Sequence, residues 1–361
     1  MVRSLLPSIE IRGRTIGPGQ PAYLVAEMSA NHGQKFENAV ALLEAAKHAG
    51  ADAVKLQTYT ADTITLRSDS EFFRIGGGTL WDGRTLHDLY REAYTPWEWQ
   101  PKLKDLADQL GLDLFSSAFD PSAVDFLEGM EVCAHKVASF ELVDLPLIEH
   151  MARTGKPLIM STGMATLEEI EEAVATARRA GAAQIALLKC TSAYPAPPEE
   201  MNLRTIPELA QRLGLPVGLS DHTLGHEVAV AAAALGACII EKHLTLSRAT
   251  PGPDSDFSLE PAEFKALVEG VRLAEKALGR VHFGVGEREA ASRVFRRSLF
   301  VVEDIHSGEL FTKENVRSIR PGHGLHPRHL KQVLGRRATR DVSRGTPLNW
   351  DLVADEGSKA S

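Results

Sequence analysis

Short apolar runs alternate with longer segments of helical period along most of this chain. Polar or turn-forming residues bound each run, and several helical segments end at a glycine just before the next run. The predicted strands are residues 23–26, 53–56, 113–115, 134–137, 158–160, 185–188, 217–219 and 239–240. The predicted helices are residues 36–49, 97–110, 121–127, 145–154, 167–180, 203–213, 227–235 and 261–278. Regular alternation of this kind predicts repeated βα units around a parallel sheet.

Repeated βα units in this number predict an α/β fold of the (β/α)8 TIM-barrel type, which typically needs about 250 residues. We assign residues 20–280 to this barrel. An open doubly wound sheet is the alternative, but it usually has fewer strands and a glycine-rich phosphate turn after the first strand. Here the first strand leads instead into Glu27-Met28-Ser29-Ala30-Asn31-His32, which favours the barrel.

The chain changes character after Gly284-Val285-Gly286. Residues 287–297 are charged and rich in arginine, and short strands are predicted at 298–302 and 316–319. We therefore predict a catalytic barrel domain with an N-terminal extension over residues 1–285, a linker over 286–297 and a small domain over 298–361. Because a domain of this size buries little apolar surface, packing against a partner or another subunit would stabilise it.

The composition is that of an ordinary globular protein, with 43% hydrophobic and 24% charged residues. The formal net charge of −8 argues against a general nucleic-acid binder. Cys133, Cys190 and Cys238 are widely spaced among apolar neighbours, which predicts buried free thiols in a reducing compartment, and so a cytoplasmic protein. No apolar run approaches the roughly 20 residues that span a bilayer, so we predict no membrane anchor and no export signal.

Polar residues follow every predicted strand. They are Glu27, Lys55 with Gln57, Ser116 with Ser117, Lys136 with Ser139, Ser161 with Thr162, Lys189 with Thr191, Ser220 with His222, and Glu241 with His243. In a (β/α)8 barrel the carboxyl ends of the strands converge on the mouth where catalysis takes place. The ammonium groups of Lys55, Lys136 and Lys189 would repel one another there unless an anion lies between them. The sequence therefore predicts a site for a phosphate, or for a phosphate with a carboxylate.

His222 and His243 follow the seventh and eighth predicted strands, so their rings can face one ion. Imidazole together with carboxylate and water suits a divalent ion such as manganese, iron or zinc. Two protein ligands would leave positions open for a substrate oxygen. The alternative for each histidine is a core residue hydrogen-bonded to a neighbour. Glu27 either pairs with one of the lysines or takes part in substrate binding and proton handling.

Motifs along nearly the whole chain resemble those of the nonulosonic (sialic) acid synthases. They are AEMSANH at 26–32, KLQTYT at 55–60, HKVAS at 135–139, STGMAT at 161–166, KCTSAYPAPPEEMNL at 189–203, LSDHT at 219–223 and EKHLT at 241–245. RSIRPGHGLHP at 317–327 is similar to the antifreeze-like (SAF, β-clip) domain that follows the barrel in those enzymes. SANH, where the sialic and legionaminic enzymes have G-x-NH, and LWDGRTLHDLYREAYTPWEW at 80–99 most resemble the branch that forms pseudaminic acid.

The resemblance implies a transferase that condenses phosphoenolpyruvate with an open-chain acetamido sugar, here 2,4-diacetamido-2,4,6-trideoxy-β-L-altropyranose, and releases phosphate. It implies that phosphoenolpyruvate is held by Lys55, Ser117, Lys136, Ser139, Ser161 and Ser220. It implies that the sugar is bound by Asn31, Ser192, Tyr194, Asp254 and Arg320, and that Glu27, His243 and Asp254 are catalytic. It also implies that His222 and His243 bind a divalent ion, Mn²⁺ or Mg²⁺.

In this family the C-terminal domain caps the barrel of the other subunit, so the resemblance implies a domain-swapped homodimer. Ser192 stands where the sialic enzymes have an asparagine two residues before the tyrosine of the YP motif, which weakens the case for N-acetylmannosamine as the substrate. An N-acetylneuraminate or legionaminate synthase, which would use the same chemistry on a different sugar, is the alternative. More distant rivals are a Schiff-base aldolase that uses Lys189 and a non-catalytic sugar-binding or ice-binding protein. Trp81, Trp97 and Trp99 are expected to pack in loops, although one of them could line a sugar pocket.

Overall fold

The computed structural model describes residues 7–355, which form two compact units that divide between Gly279 and Arg280. The first unit contains a closed parallel barrel, and the second contains a small antiparallel sheet. The predicted fold class is therefore confirmed. The predicted domain boundary after residue 285 stays a prediction, and the predicted linker contains a short helix and a 3₁₀ turn, Ala291–Phe295.

A hairpin precedes the barrel and packs against its interior. Strands β1 (Ile9–Ile11) and β2 (Arg14–Ile16) pair antiparallel, with Ile9 opposite Ile16. Ile9, Ile11 and Ile16 are buried together with Tyr23 and Ile239, which begin their strands. The hairpin therefore covers the end of the barrel at which the strands begin. The sequence analysis does not predict it, because an alternation of three residues is too short to be informative.

Eight parallel strands within residues 7–355 close into the barrel. They are β3 (Tyr23–Glu27), β4 (Ala53–Thr58), β5 (Asp113–Ala118), β6 (His135–Val137), β7 (Leu158–Ser161), β8 (Ile185–Cys190), β9 (Val217–Asp221) and β10 (Ile239–His243). Each pairs with the next in the chain, and β10 pairs with β3 to complete the ring. All eight predicted strands are present, but most run further than the apolar runs. The predicted strand 239–240 continues to His243, which pairs with Glu27 of β3.

Helices connect the strands around the barrel. They are α1 (Phe36–Ala49), α2 (Ala61–Ile64), α3 (Leu86–Ala93), α4 (Gln100–Leu110), α5 (Pro121–Gly129), α6 (Leu145–Ala152), α7 (Leu167–Arg179), α8 (Thr205–Leu213), α9 (Glu227–Ala234) and α10 (Pro261–Leu278). The predicted helices at 36–49 and 261–278 agree with α1 and α10 at both ends. Helix α1 ends at Gly50, which adopts the left-handed conformation with φ 90°. Helices α2 and α3 lie in the long segment after β4, where the sequence analysis predicts none.

Side chains alternate between the inside and the outside of the barrel along each strand. The apolar layer inside the barrel contains Tyr23, Val25, Ala53, Phe115, Ala134, Ile159, Ala186, Leu188 and Ile239. On β9 this layer holds Gly218, where a Cβ would lie only 2.3 Å from the carbonyl oxygen of Ile239. The next inward position on each strand is polar or a thiol, namely Glu27, Lys55, Ser117, Lys136, Ser161, Cys190, Ser220 and Glu241. The interior therefore changes from apolar to polar toward the carboxyl ends of the strands.

The second unit begins with helix α11 (Glu287–Ala290) and contains β11 (Ser298–Val301), β12 (Val316–Ile319) and helix α12 (Leu330–Val333). The two strands pair antiparallel, which confirms the strands predicted at 298–302 and 316–319. Leu299, Phe311 and Leu348 belong to a separate buried core within this unit. In neither unit, over residues 7–355, does a helix have the length and apolar character needed to cross a membrane.

Candidate active site

A cavity of about 480 Å³ lies at the carboxyl ends of the barrel strands. Most of the residues that the sequence analysis assigns to a site line it. They are Glu27, Lys55, Ser117, Lys136, Ser139, Ser161, Tyr194, Ser220, His222, His243 and Asp254. A second concavity, between α4 and α5, contains none of the predicted site residues. The barrel mouth is therefore the candidate active site.

The register of the sheet places these side chains side by side. Lys55 pairs with Glu27 of the preceding strand, and Ser117 pairs with Lys136 of the following strand. Ser220 pairs with Glu241 in the same way. Because neighbouring strands lie about 4.8 Å apart, inward side chains at paired positions are within hydrogen-bonding reach.

Four residues to which the sequence analysis gives a specific role do not line the cavity. Asn31 donates hydrogen bonds from Nδ2 to the carbonyl of Leu244 and to Oγ of Ser258, both at 2.9 Å, so its side chain holds two segments together beside the cavity. Ser192 and Lys189 are not among the residues that line the cavity. Arg320 lies in the second unit, directly after β12, where it is exposed. The sugar-binding roles of Asn31, Ser192 and Arg320 stay predictions.

The prediction that Lys189 points into the mouth is wrong. On β8, Leu188 and Cys190 occupy the inward positions, so Lys189 between them faces the outside of the barrel. Its ammonium group donates to the carbonyl of Cys190 at 3.0 Å and to Oγ1 of Thr191 at 2.6 Å. The cavity therefore contains two lysines from the strand ends, Lys55 and Lys136.

Lys55 lies between two buried carboxylates. Its Nζ is 2.6 Å from Oε2 of Glu27 and 3.6 Å from Oε1 of Glu241, and it donates to Oγ of Ser117 at 3.3 Å. Burial disfavours the charged ammonium group, but Glu241 and Glu27 outweigh this effect and raise the pKa of Lys55. Burial raises the pKa of Glu27 to about 7 against the opposing influence of Lys55, and the charge of Glu241 adds to the increase. Glu27 can therefore exchange a proton near neutral pH.

Lys136 has a different environment. Its Nζ donates to Oγ of Ser161 at 2.6 Å and to the carbonyl of Val137 at 3.0 Å. Within the described part of the chain it forms no ion pair with a carboxylate, although it is only 2% exposed. Burial lowers its pKa. A buried cation with neutral partners is costly, and an anionic ligand would remove that cost.

The two histidines lie close together, with ring centroids 5.4 Å apart. His222 Nδ1 is 3.0 Å from the carbonyl oxygen of Thr191, and because a carbonyl only accepts, Nδ1 carries a proton. His243 Nδ1 is buried without a hydrogen-bond partner in the described structure. Burial lowers the pKa of His243 well below its usual range, whereas the adjacent Cys190 and the Thr191 carbonyl overcome burial and raise that of His222.

These features fit two imidazole ligands of a divalent ion. No three His, Cys, Asp or Glu side chains of residues 7–355 are arranged to hold a metal ion without other ligands. Any further ligands would therefore come from substrate or water. The unpartnered nitrogen of His243 is the observation that favours a ligand at this position.

Aromatic side chains also line the cavity. They are Tyr59, Trp81, Tyr90, Phe119, Phe140 and Tyr194. Trp81 donates from Nε1 to the carbonyl of Pro253 at 3.0 Å, and its ring lies 5.7 Å from that of Tyr194. Of the three tryptophans considered in the sequence analysis, Trp81 is thus the one that lines a pocket. Trp97 and Trp99 pack against the barrel core.

Six further polar residues line the cavity. They are Ser29, Gln57, Thr79, Glu141, Cys190 and Glu241. Gln57 and Glu241 are recognised as strand-end residues in the sequence, but no role is assigned to them there. Cys190 could have been found from the alternation of β8, because it follows the inward Leu188 by two residues. Ser29 and Glu141 lie after their strands, where no periodicity indicates which way a side chain points.

A closed (β/α)8 barrel with such a cavity at the carboxyl ends of its strands defines the protein as a barrel enzyme. Residues 42–283 match the NeuB family, and residues 296–354 match the SAF domain. The chain belongs to the NeuB family, and the family resemblance in the sequence is confirmed.

Similar proteins include two pseudaminic acid synthases. The chain is 45% identical over 326 residues to the one from Campylobacter jejuni, which covers 90% of this chain and 95% of that protein. It is 44% identical over 335 residues to the one from Helicobacter pylori, which covers 92% of this chain and 98% of that protein. A solved structure of the N-acetylneuraminic acid synthetase from Leptospira borgpetersenii superposes with a TM-score of 0.70 at 29% identity and covers 79% of this chain and 94% of that one.

Proposed function

We propose that this enzyme catalyses the pseudaminic acid synthase reaction. In this reaction phosphoenolpyruvate, 2,4-diacetamido-2,4,6-trideoxy-β-L-altropyranose and water give pseudaminic acid and phosphate. The single observation that carries the proposal is the buried Lys136, which has neutral partners in the same cavity as Lys55, Glu27 and the two histidines. The identity of 45% to a pseudaminic acid synthase supports the choice of sugar.

Phosphoenolpyruvate carries a phosphate and a carboxylate, and the lysine and serine side chains of the cavity suit both. Lys136 and Lys55 supply positive charge, and Ser117, Ser161 and Ser220 supply hydroxyl donors. Charge-assisted hydrogen bonds of this kind hold an anion and fix its orientation. Because the site is buried, its electrostatic interactions are stronger than they would be in water.

The aromatic side chains that line the cavity suit the sugar. The acetyl methyl groups and the 6-deoxy carbon are apolar, and they can pack on Trp81, Tyr90 and Phe140. Asp254 and Tyr194 also line the cavity and offer hydrogen-bonding groups for the hydroxyls of the sugar. Burial raises the pKa of both Asp254 and Tyr194.

The chemistry follows from holding the two substrates side by side. C3 of phosphoenolpyruvate attacks the aldehyde carbon of the open-chain sugar, forming a carbon–carbon bond, and the aldehyde oxygen takes up a proton. Water then adds at C2 and loses one proton. As the C2–O bond to the phosphate breaks, the new hydroxyl group becomes the C2 carbonyl and its proton passes to the departing phosphate. We assign to Glu27 the exchange of a proton with this water, because its raised pKa of about 7 lets it act as both acid and base.

His222 and His243 would hold the divalent ion, Mn²⁺ or Mg²⁺, that the resemblance implies. When bound, the ion would supply Lewis-acid polarisation of the sugar aldehyde. Lysine and serine side chains keep C3 in attack geometry, and this positioning by itself makes a large contribution to rate. We also infer a cytoplasmic location, which the free, largely buried Cys133, Cys190 and Cys238 support.

A legionaminate or N-acetylneuraminate synthase is the second candidate, because it would use the same chemistry on a different sugar. The Schiff-base aldolase is disfavoured, since Lys189 lies outside the cavity. The test is a phosphate-release assay with phosphoenolpyruvate and Mn²⁺ that compares three sugars. They are N-acetylmannosamine and the 2,4-diacetamido-2,4,6-trideoxy sugars of L-altro and of gluco or manno type. We expect the highest kcat/KM with the L-altro sugar, and a preference for another sugar would overturn the proposal.

We further propose that the enzyme is a domain-swapped homodimer in which Arg320 reaches the active site of the other subunit. A mixture of two inactive variants, Lys136→Met and Arg320→Ala, tests this arrangement. In a swapped heterodimer one barrel is intact and receives an intact Arg320, so activity returns after the subunits are exchanged. Without swapping, each active site keeps one of the two defects, and the mixture stays inactive.

A further inference from the structure

Ser29 has a backbone conformation that disfavours its own side chain. It follows β3 with φ 44°, in the left-handed region, and it is only 3% exposed. A residue with a Cβ costs free energy in this conformation, whereas glycine adopts it readily. A buried serine is therefore an expensive choice here unless its hydroxyl group contributes something that glycine cannot.

The hydroxyl of Ser29 joins two side chains that line the cavity. It donates a hydrogen bond to Oδ2 of Asp254, and it accepts one from Nε2 of Gln57 at 2.9 Å. The direction of both bonds is fixed, because a carboxylate only accepts and an amide nitrogen only donates. Gln57 Nε2 also donates to Oε1 of Glu27 at 2.9 Å. Ser29 thus continues a chain of hydrogen bonds from Glu27 to Asp254.

The other contacts of Asp254 leave one oxygen available. Its Oδ2 also accepts from the backbone N–H of Ala30 at 3.4 Å, and its carbonyl oxygen accepts from Oγ of Ser258 at 2.5 Å. Ser258 is in turn held by Asn31 Nδ2 at 2.9 Å. Within residues 7–355 no hydrogen bond reaches Oδ1 of Asp254. Ser29 therefore fixes the rotation of a carboxylate whose second oxygen is available to a ligand in the cavity.

We propose that Ser29 is a positioning residue that sets the sugar selectivity of this enzyme by orienting the carboxylate of Asp254. The proposal rests on the proposed function, since it assumes that Asp254 contacts the sugar. A carboxylate that is free to rotate can meet a hydroxyl in either of two configurations. A carboxylate held by Ser29 presents Oδ1 at one place, so it favours a sugar whose hydroxyl lies there and leaves an epimer without a partner.

The variant Ser29→Gly separates a role in selectivity from a structural one. Glycine removes the hydroxyl and relieves the left-handed backbone, so the variant should unfold at a temperature at least as high as Ser29→Ala, which removes the hydroxyl alone. For both variants we expect kcat/KM for the preferred sugar to fall about tenfold, while KM for phosphoenolpyruvate changes less than twofold. The ratio of kcat/KM between the L-altro sugar and its gluco or manno diastereomers should move toward one.

Glu131→Gly is the matched control. Glu131 also has a positive φ, 55°, but it is exposed on the outside of the barrel. This variant should unfold at no lower temperature than the wild type and keep its kinetics. The proposal is wrong if Ser29→Gly keeps two quantities within twofold of the wild type. They are kcat/KM for the preferred sugar and the ratio of kcat/KM between the L-altro sugar and the gluco or manno sugars. If the wild type itself prefers another sugar, the proposed function fails, and the same comparison on that sugar still decides the role of Ser29.

Discussion

Lys242 donates a hydrogen bond to Asp221 across two neighbouring barrel strands, with Nζ 2.8 Å from Oδ2 and both side chains fully buried. Each of these residues directly precedes a cavity histidine, because His222 follows Asp221 and His243 follows Lys242. Successive side chains of a strand point to opposite faces, so this ion pair lies outside the barrel while the imidazoles lie inside. Lys242 also donates to the carbonyl of Thr223, which ties the loop after β9 to the same point. The pair fixes the relative position of the two strands that carry the histidines.

Lys242→Met should lower the free energy of unfolding by about 3–5 kcal/mol, because it leaves the Asp221 carboxylate buried without its cation. The double variant Lys242→Met with Asp221→Asn should lose less than the sum of the two single variants. Urea denaturation followed by tryptophan fluorescence measures this, since three of the four tryptophans lie in the barrel unit. Arg153→Ala, which breaks an exposed pair with Glu149, serves as control and should change stability by less than about 1 kcal/mol. If Lys242→Met is as stable as the wild type, the buried ion pair with Asp221 does not hold the two strands together as stated.

Lys136→Met should make the protein more stable and less active. The substitution removes a buried cation that has only neutral partners, so we expect the free energy of unfolding to rise by about 1 kcal/mol. In the same variant kcat/KM for phosphoenolpyruvate should fall at least about 100-fold, because a charge that stabilises the phosphate is lost. Lys265→Met on the exposed face of α10 is the matched control and should leave both quantities nearly unchanged. Loss of stability together with activity would show that Lys136 has a structural role instead.

Glu141→Gln should stabilise the protein in a pH-dependent way. Burial raises the pKa of Glu141 from 4.5 to about 7, and its Oε2 is buried without a hydrogen-bond partner in the described structure. Below pH 4.5 the carboxyl is protonated in both the folded and the unfolded chain, so it contributes no difference. As pH rises from 4.5 to 7, only the unfolded chain releases the proton, which favours unfolding; above pH 7 the penalty is constant.

The stability gained by Glu141→Gln should therefore grow from near zero at pH 4 to at most about 3 kcal/mol at pH 8. Urea denaturation of both proteins at several pH values measures this difference. A difference that stays constant over the range would mean that the pKa of Glu141 is not raised in the folded protein.

His222→Ala and His243→Ala should each weaken Mn²⁺ binding by at least about 100-fold. Electron paramagnetic resonance of free Mn²⁺ measures the binding directly and does not depend on turnover. His150→Ala is the control, since His150 pairs with Asp125 on the outside of the barrel. Unchanged affinity in either cavity variant would exclude that histidine as a ligand.

The barrel and most of its cavity could be predicted because both follow from short-range periodicity. The predicted strand 239–240 ends before the first polar residue, Glu241, because apolar character is the signal for a strand. The backbone pairing nevertheless continues to His243, because the polar side chains at these strand ends are partners of one another. Lys189 directly follows the inward Leu188, so the alternation along β8 places it on the outer face, which apolar character alone does not indicate.

The contact between Ser29 and Asp254 joins distant parts of the chain, so no local pattern predicts it. Ser29 and Asp254 are 225 residues apart, and no pattern within either segment indicates that they meet.

Helix α3, by contrast, has a local signal in the sequence, because Thr85 accepts a hydrogen bond from the backbone N–H of Asp88 and caps the helix. The Thr-x-x-Asp sequence is a recognised helix start, so this helix could have been predicted.

The hairpin that carries Ile9, Ile11 and Ile16 covers the barrel at the amino ends of its strands, and the cavity lies at the opposite, carboxyl ends. Along β9 and β10, Ser220 and Glu241 lie one inward position deeper than His222 and His243. A small molecule seated at the deeper level cannot leave while a larger one fills the space above it.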